Sequence, residues 1–355
     1  MKTGQTLPEM AKELERQRTA KRDFVAPTRE LEVTMDQVAD DETPSMFNMK
    51  VNGHGQFKIG DTAHDQLSNR LGIPRKYYDR MRTTAPELLR TNANHWLHNE
   101  KEKRMVRTLD GNMRAFLSSR FRPLDNFELA ETVLPVLMGT GCKIESAALT
   151  EKRIYIKAVT DKLTAEIKKG DIVQAGIVIS NSEIGLGSVR VEPLIYRLVC
   201  TNGMIVNDHA MKKYHVGRSS EVDLAEEFFR DETRKADDRA FWMKVRDVVT
   251  GAFREDVFKK VVVRMRDVVD AEIVGAPEKA VEVVQEKFQL NDGERSGILK
   301  HLIKGGELTQ YGLVNAITRY SQDVADYDRA TDMERLGGVV LELPKHDWAE
   351  IAEAV

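Results

Sequence analysis

Along the first 45 residues the apolar positions make one helical stretch, from Pro8 to about Ala20, with Leu7, Met10, Ala11 and Leu14 in a narrow stripe. So narrow a stripe buries too little to stand alone, and Asp40-Asp41-Glu42-Thr43-Pro44 then breaks the pattern. Residues 1–45 read as a mobile arm, an element docked on a partner subunit, or a disordered terminus. Phe47 to Ile59 alternates weakly around Asn52-Gly53, a hairpin signal. Asp61-Thr62 opens a helical pattern with Ala63, Leu67 and Leu71 on one face and Gly72 as the stop. Short helices follow from Ile73-Pro74 through Met81, and from Pro86 to about Leu97.

The clearest hairpin lies at 104–118, where Arg104–Thr108 and Met113–Ser118 flank Leu109-Asp110-Gly111-Asn112. Asp-Gly suits a two-residue turn that needs positive φ. That register sets Arg107 opposite Arg114 and Met105 opposite Phe116, and two like charges face to face call for an anion nearby. Asp125, with Glu128 three residues on, starts a helix to about Met138 that Pro135 kinks and Gly139 and Gly141 stop. Lys143–Leu149 with Arg153–Ala158, and Ile172–Ser180 with Ser188–Cys200, alternate as strand pairs, and Pro193 implies an edge strand or a bulge. From Val222 apolar residues recur at helical spacing as far as Gly275-Ala276-Pro277, with shorter helices over 277–289, 293–304 and 308–326 and a last one near Asp347. The expected fold class is α+β. A mainly antiparallel sheet core with flanking helices over 46–220 is followed by a helical C-terminal region over 221–355.

The 355 residues carry 41% hydrophobic and 31% charged side chains, ordinary globular composition, with a net charge of only −3. Two cysteines, no apolar leader in the first residues and no apolar run near the ~20 residues that span a bilayer point to a soluble, cytoplasmic protein. The distribution of charge is less ordinary. Between Arg70 and Arg122 stand thirteen Lys/Arg against five acids, +8 over 53 residues, which leaves −11 for the remainder. Tyr77, Tyr78, Trp96, Phe116 and Phe121 interleave the cations. Cations that hold phosphates and rings that stack bases are what a sequence-tolerant single-strand binder needs. The other reading is a solvated face neutralised by acidic helices of the same chain.

No other constellation fixes a reaction. His95-x-x-His98 and the set Cys200, His209 and His215 lack a complete ligand spacing, so no metal is expected. Cys200, on an apolar run, reads as core. Gly185-Leu186-Gly187-Ser188 precedes an extended run instead of the helix a phosphate loop needs, and no Walker element exists, so no nucleotide cofactor is expected. The carboxylates show no acid/base spacing, and no catalytic residue is assigned.

Several strings nevertheless belong together: Leu71-Gly72-Ile73-Pro74-x-x-Tyr77-Tyr78, the run Arg114-Ala115-Phe116-Leu117-Ser118-Ser119-Arg120-Phe121-Arg122-Pro123-Leu124-Asp125-Asn126, Asn181-Ser182-Glu183-x-Gly185, Cys200-Thr201-Asn202-Gly203-Met204, Gly312-Leu313-Val314-Asn315-Ala316-Ile317-Thr318-Arg319-Tyr320 and Leu336-Gly337-Gly338. Over roughly 50–345 the chain resembles the phage/plasmid-like family of domain of unknown function 932. The resemblance implies a mobile-element context, a setting in which single-strand annealing proteins are common, and carries no catalytic residues over.

The expectation is therefore a non-enzymatic, homo-oligomeric protein that binds nucleic acid, single-stranded DNA first, in recombination or replication, with no membrane partner. Arg107, Arg114, Arg120 and Arg122 would hold phosphates and Tyr77, Tyr78 and Phe121 would stack bases, with Arg75, Lys76, Arg80, Lys103 and Arg104 completing the strip. The rivals are an assembly or regulatory protein that binds an acidic partner, and a metal-dependent nuclease or hydrolase whose carboxylates converge only in three dimensions.

Overall fold

The computed structural model describes residues 1–36, 46–206 and 231–354. These residues divide into two compact units. One comprises Ala11–Phe127 with the short segment Glu183–Gly187, and the other Met1–Met10, Glu128–Ser182 and Ser188–Val355. They are called here the N-terminal and C-terminal units.

The chain opens with α1 (Leu7–Ala20), β1 (Arg22–Pro27), a 3-10 turn (Thr28–Glu30) and β2 (Leu31–Met35). Two strands thus lie in the stretch expected as a mobile arm. Leu31 and Val33 go into the core of the N-terminal unit, while β1 buries Ala26 alone and lies at the sheet edge. The unit continues through β3 (Phe47–Val51), β4 (Gly55–Ile59), α2 (Asp61–Arg70), α3 (Arg75–Thr84), α4 (Pro86–Asn99), β5 (Lys103–Leu109) and β6 (Asn112–Ser118). Its six strands run in the order β1-β5-β6-β4-β3-β2, antiparallel except for β4 beside β6. Leu67, Tyr78, Leu89 and Leu97 of the helices meet Val33, Met49, Val106 and Phe116 of the sheet in one apolar core. The helix stop expected at Gly72 is there, with φ +67°, a backbone state that a side chain would strain.

α5 (Asn126–Gly139) leads to β7 (Lys143–Leu149), β8 (Ile154–Glu166), β9 (Ile172–Asn181), β10 (Arg190–Arg197) and β11 (Asn202–Ile205). In the C-terminal unit these strands form an antiparallel sheet of order β11-β10-β9-β8-β7. Pro193 is not on an edge strand, because β10 lies between β9 and β11. It pairs with Ile177 on β9, while β10–β11 pairing begins only at Leu194–Ile205, so the missing N–H falls beyond the four-residue partner.

The helices are α6 (Asp231–Thr250), α7 (Glu255–Asp267), α8 (Pro277–Phe288), α9 (Asp292–Gly305), α10 (Gln310–Tyr320), α11 (Tyr327–Leu341) and α12 (Lys345–Ala352). The stretch expected to be helical from Val222 falls outside the described residues as far as 230. The fold class is α+β, with two mostly antiparallel sheets and a helical C-terminal region. The helices expected from the sequence leave out 327–341, where the structure places α11. Gly337 and Gly338 are both in α11. A methyl group at Gly338 would stand 2.0 Å from the Ile205 carbonyl oxygen, so the missing side chain lets the helix pack against β11. Among the described residues no helix is long and apolar enough to cross a membrane.

Candidate nucleic-acid interface

The hairpin turn forms as its residues dictate. Asp110 and Gly111 take φ +51° and +75°, and Leu109 faces Asn112. The register then shifts by one between Thr108, which pairs with Met113, and Arg107, which pairs with Ala115. Arg114 is the extra residue of this β-bulge. Arg107 is therefore not opposite Arg114, and Met105 meets Leu117 instead of Phe116. The repulsion that register implied is absent.

Both arginines have acids of the N-terminal unit as partners. Arg107 is 1% exposed. Its Nε donates to Asp23 of β1 at 3.0 Å, its Nη2 to Asp125 at 2.9 Å and its Nη1 to the Glu183 carbonyl oxygen at 2.5 Å. Arg114 donates to Glu183 Oε2 at 2.7 Å, and Lys21 to Glu183 Oε1 at 2.8 Å. The N–H of Asn126, first residue of α5, donates to the same Oε1 at 2.7 Å. Three cations, Lys21, Arg107 and Arg114, thus interlock with three carboxylates, Asp23, Asp125 and Glu183. Glu183 is 2% exposed, and burial alone would raise its pKa. The Lys21 ammonium and Arg114 guanidinium overcome that and hold it at about 2. This neutral cluster, with Arg107 and Glu183 buried at its centre, is architecture, and it excludes Arg107 as a phosphate contact.

Other members of the strip are also committed. Tyr78 is 1% exposed, its hydroxyl 2.7 Å from His64 Nδ1, and so is not a stacking surface. Burial, with the charges of Arg82 and Arg75 nearby, lowers the His64 pKa to about 4, and the imidazole stays neutral in the fold. Arg104 is buried and pairs with Glu102 and Glu100, again no phosphate contact. Arg75 bonds Asp79 at 2.6 Å and pairs with Asp65. Phe121 and Arg122 are half-buried.

What remains exposed is a smaller set. Lys76, Tyr77 and Arg80 lie on α3, Lys103 opens β5, and Arg120 follows β6, with Lys101 just before β5. None of these five cations has an ion pair among the described residues. Sequence counting over-read the strip because acids distant in sequence, at 23, 61, 65, 125 and 183, neutralise part of it. Over the whole N-terminal unit 21 Lys/Arg stand against 18 Asp/Glu, so +3 replaces +8 as the relevant charge.

Arg114→Gln is expected to strand the buried Glu183 carboxylate and lower the melting temperature, while oligonucleotide binding at low salt stays within twofold of the wild type. Thermal denaturation beside a fluorescence-anisotropy titration checks both halves.

The remaining candidates separate in the same way. His98 Nε2 lies 3.1 Å from the Leu31 carbonyl oxygen, and His95 adjoins Asn99. His209 and His215 lie outside the described residues. Among the described residues no three His, Cys, Asp or Glu side chains form a group that could hold a metal ion. Cys200 is not a core strand residue. It is half-buried in the turn after β10, its Sγ 3.5 Å from Arg197 Nη1.

No curated protein and no solved structure matches the chain. A family match covers residues 115–337, from the middle of β6 into α11. It takes in Arg114's neighbour Ala115, Asp125 and Glu183 of the ion-pair cluster, and Gly337, the first glycine of the α11 pair. With well over half of its length inside that match, the chain belongs to the family described as Domain of unknown function (DUF932).

Proposed function

We propose that the chain is a non-enzymatic, oligomeric nucleic-acid-binding protein that holds single-stranded DNA by its phosphates, in the recombination or replication of a phage or plasmid. One observation carries this reading. Lys76 and Arg80 stand one turn apart on α3, both exposed and unpaired, with the 49% exposed ring of Tyr77 beside Lys76. Two cations and a ring on one helical turn supply phosphate contacts and a stacking surface together. Lys101, Lys103 and Arg120 extend the set.

A salt-series titration with single- and double-stranded oligonucleotides tests the proposal. Each phosphate neutralised on a single strand contributes about −0.7 to the slope of log affinity against log salt. The expected result is a steep slope, with mixed single-stranded sequences bound about equally. Salt-insensitive binding, or none at low salt, would remove the reading. Tight binding of an acidic polypeptide in place of DNA would move it to a protein partner.

A further inference from the structure

A cleft of about 260 Å³ in the C-terminal unit is walled by the turn after β10, the last turn of α9 and one face of α10. Its charged lining is Arg197, Lys304 and Arg319 against the single carboxylate of Glu307, with the His301 imidazole also in the wall. Existing partners take up part of this charge. Asp171 holds Arg197 through two bonds of 2.6 Å, Glu307 pairs with Lys168, and His301 Nε2 lies 2.6 Å from Asp323. Lys304 has no ion pair among the described residues.

Two donors in the α10 wall are incompletely satisfied. Asn315 and Arg319 are four residues apart and share a helix face. Asn315 Nδ2 and Arg319 Nη1 are both shielded from solvent and make no close hydrogen bond, Asn315 facing the Tyr311 hydroxyl of its own helix and Asp323 Oδ1 standing 3.5 Å from that same Nη1. Shielded donors with only weak partners are costly, and an anion in the cleft would supply closer oxygens.

We propose that this cleft binds the phosphoryl group of a small phosphorylated molecule. Lys304 and Arg319 provide charge, Asn315 an amide donor, and the Asp171-held Arg197 a fixed positive floor. The volume lies below the usual ~300–1,000 Å³ of sites for larger ligands, which favours a phosphate on a small body over a polynucleotide. The site is independent of the DNA-binding reading, since its residues all lie in the other unit.

Cys200 lines the same cleft and supplies a reporter. The experiment uses the full chain with inorganic phosphate as probe, at ionic strength held constant with chloride. Equilibrium dialysis measures binding, and peptide mass spectrometry follows iodoacetamide alkylation of Cys200, with Cys142, outside the cleft, as internal control. Saturable one-site binding and severalfold slower alkylation of Cys200 alone are expected. Lys304→Gln and Arg319→Gln should each weaken phosphate by about tenfold with the melting temperature unchanged. Absence of saturable binding, or binding that neither variant affects, would overturn the proposal. So would protection of Cys200 by a single-stranded oligonucleotide but not by phosphate, which would assign the cleft to a nucleic-acid path.

Discussion

Glu183→Ala is expected to destabilise the N-terminal unit by about 3–5 kcal/mol, the usual cost of breaking a buried ion pair by removing one partner. The substitution leaves the buried Lys21 ammonium and the half-buried Arg114 guanidinium with less counter-charge, and the Asn126 N–H without its acceptor. Hydrogen exchange should locate the loss at 183–187, β1 and β6. The same carboxylate gives a pH dependence. Its folded pKa of about 2 lies below the ordinary value of 4.5, so the folded state binds fewer protons there than the unfolded chain. The stability it contributes is fully present above pH 4.5 and is lost as pH falls toward 2, on the order of 3 kcal/mol in total. His64 adds loss in the window from about 6.5 down to 4, because its folded pKa is also depressed. Acid titration of Glu183→Gln should therefore show a shallower fall below pH 4.5 than the parent. An unchanged acid profile would show that the carboxylate is not the group that titrates.

The second large effect is expected in the C-terminal unit. Lys157 of β8 and Glu334 of α11 are both fully buried, Nζ to Oε2 at 2.6 Å, with Thr331 Oγ1 at 3.2 Å and the Tyr327 ring 4.7 Å from the ammonium. Glu334 Oε1 has no hydrogen-bond partner, so the pair is incompletely satisfied. Lys157→Met leaves an uncompensated buried carboxylate and is expected to cost about 3–5 kcal/mol. Adding Glu334→Leu removes that charge and should restore most of the loss, since apolar replacement of a whole buried pair is often neutral or stabilising. Chemical denaturation of the two single variants and the double variant closes the cycle. A double variant as unstable as the sum of the singles would mean that the pair contributes more than mutual neutralisation.

How far the sequence was legible follows from the range over which its signals act. The Asp110-Gly111 turn was readable because positive φ is a property of two residues. The register beyond it was not, because a bulge at Arg114 answers to a carboxylate 69 residues away. Arg107 looked like a phosphate contact for the same reason, since Asp23 is 84 residues before it. β1 escaped notice because an edge strand that buries one residue leaves no alternation, and the use of the α11 glycine pair, close packing on β11, depends on a strand more than 130 residues earlier. Lys76, Tyr77 and Arg80 kept their expected exposure, since three neighbours on one short helix face depend little on distant chain.

The division between buried and exposed cations is the central claim, and one paired measurement tests it. The chain with Lys76, Arg80, Lys103 and Arg120 all changed to Gln is compared with Arg107→Met, each read for melting temperature and for the salt slope of single-strand binding. The fourfold variant should keep its melting temperature and lose about 3 units of slope. Arg107→Met should melt several degrees lower with its slope intact. A fourfold variant that binds DNA with the parent's slope, or an Arg107→Met protein that loses slope without losing stability, would contradict the account.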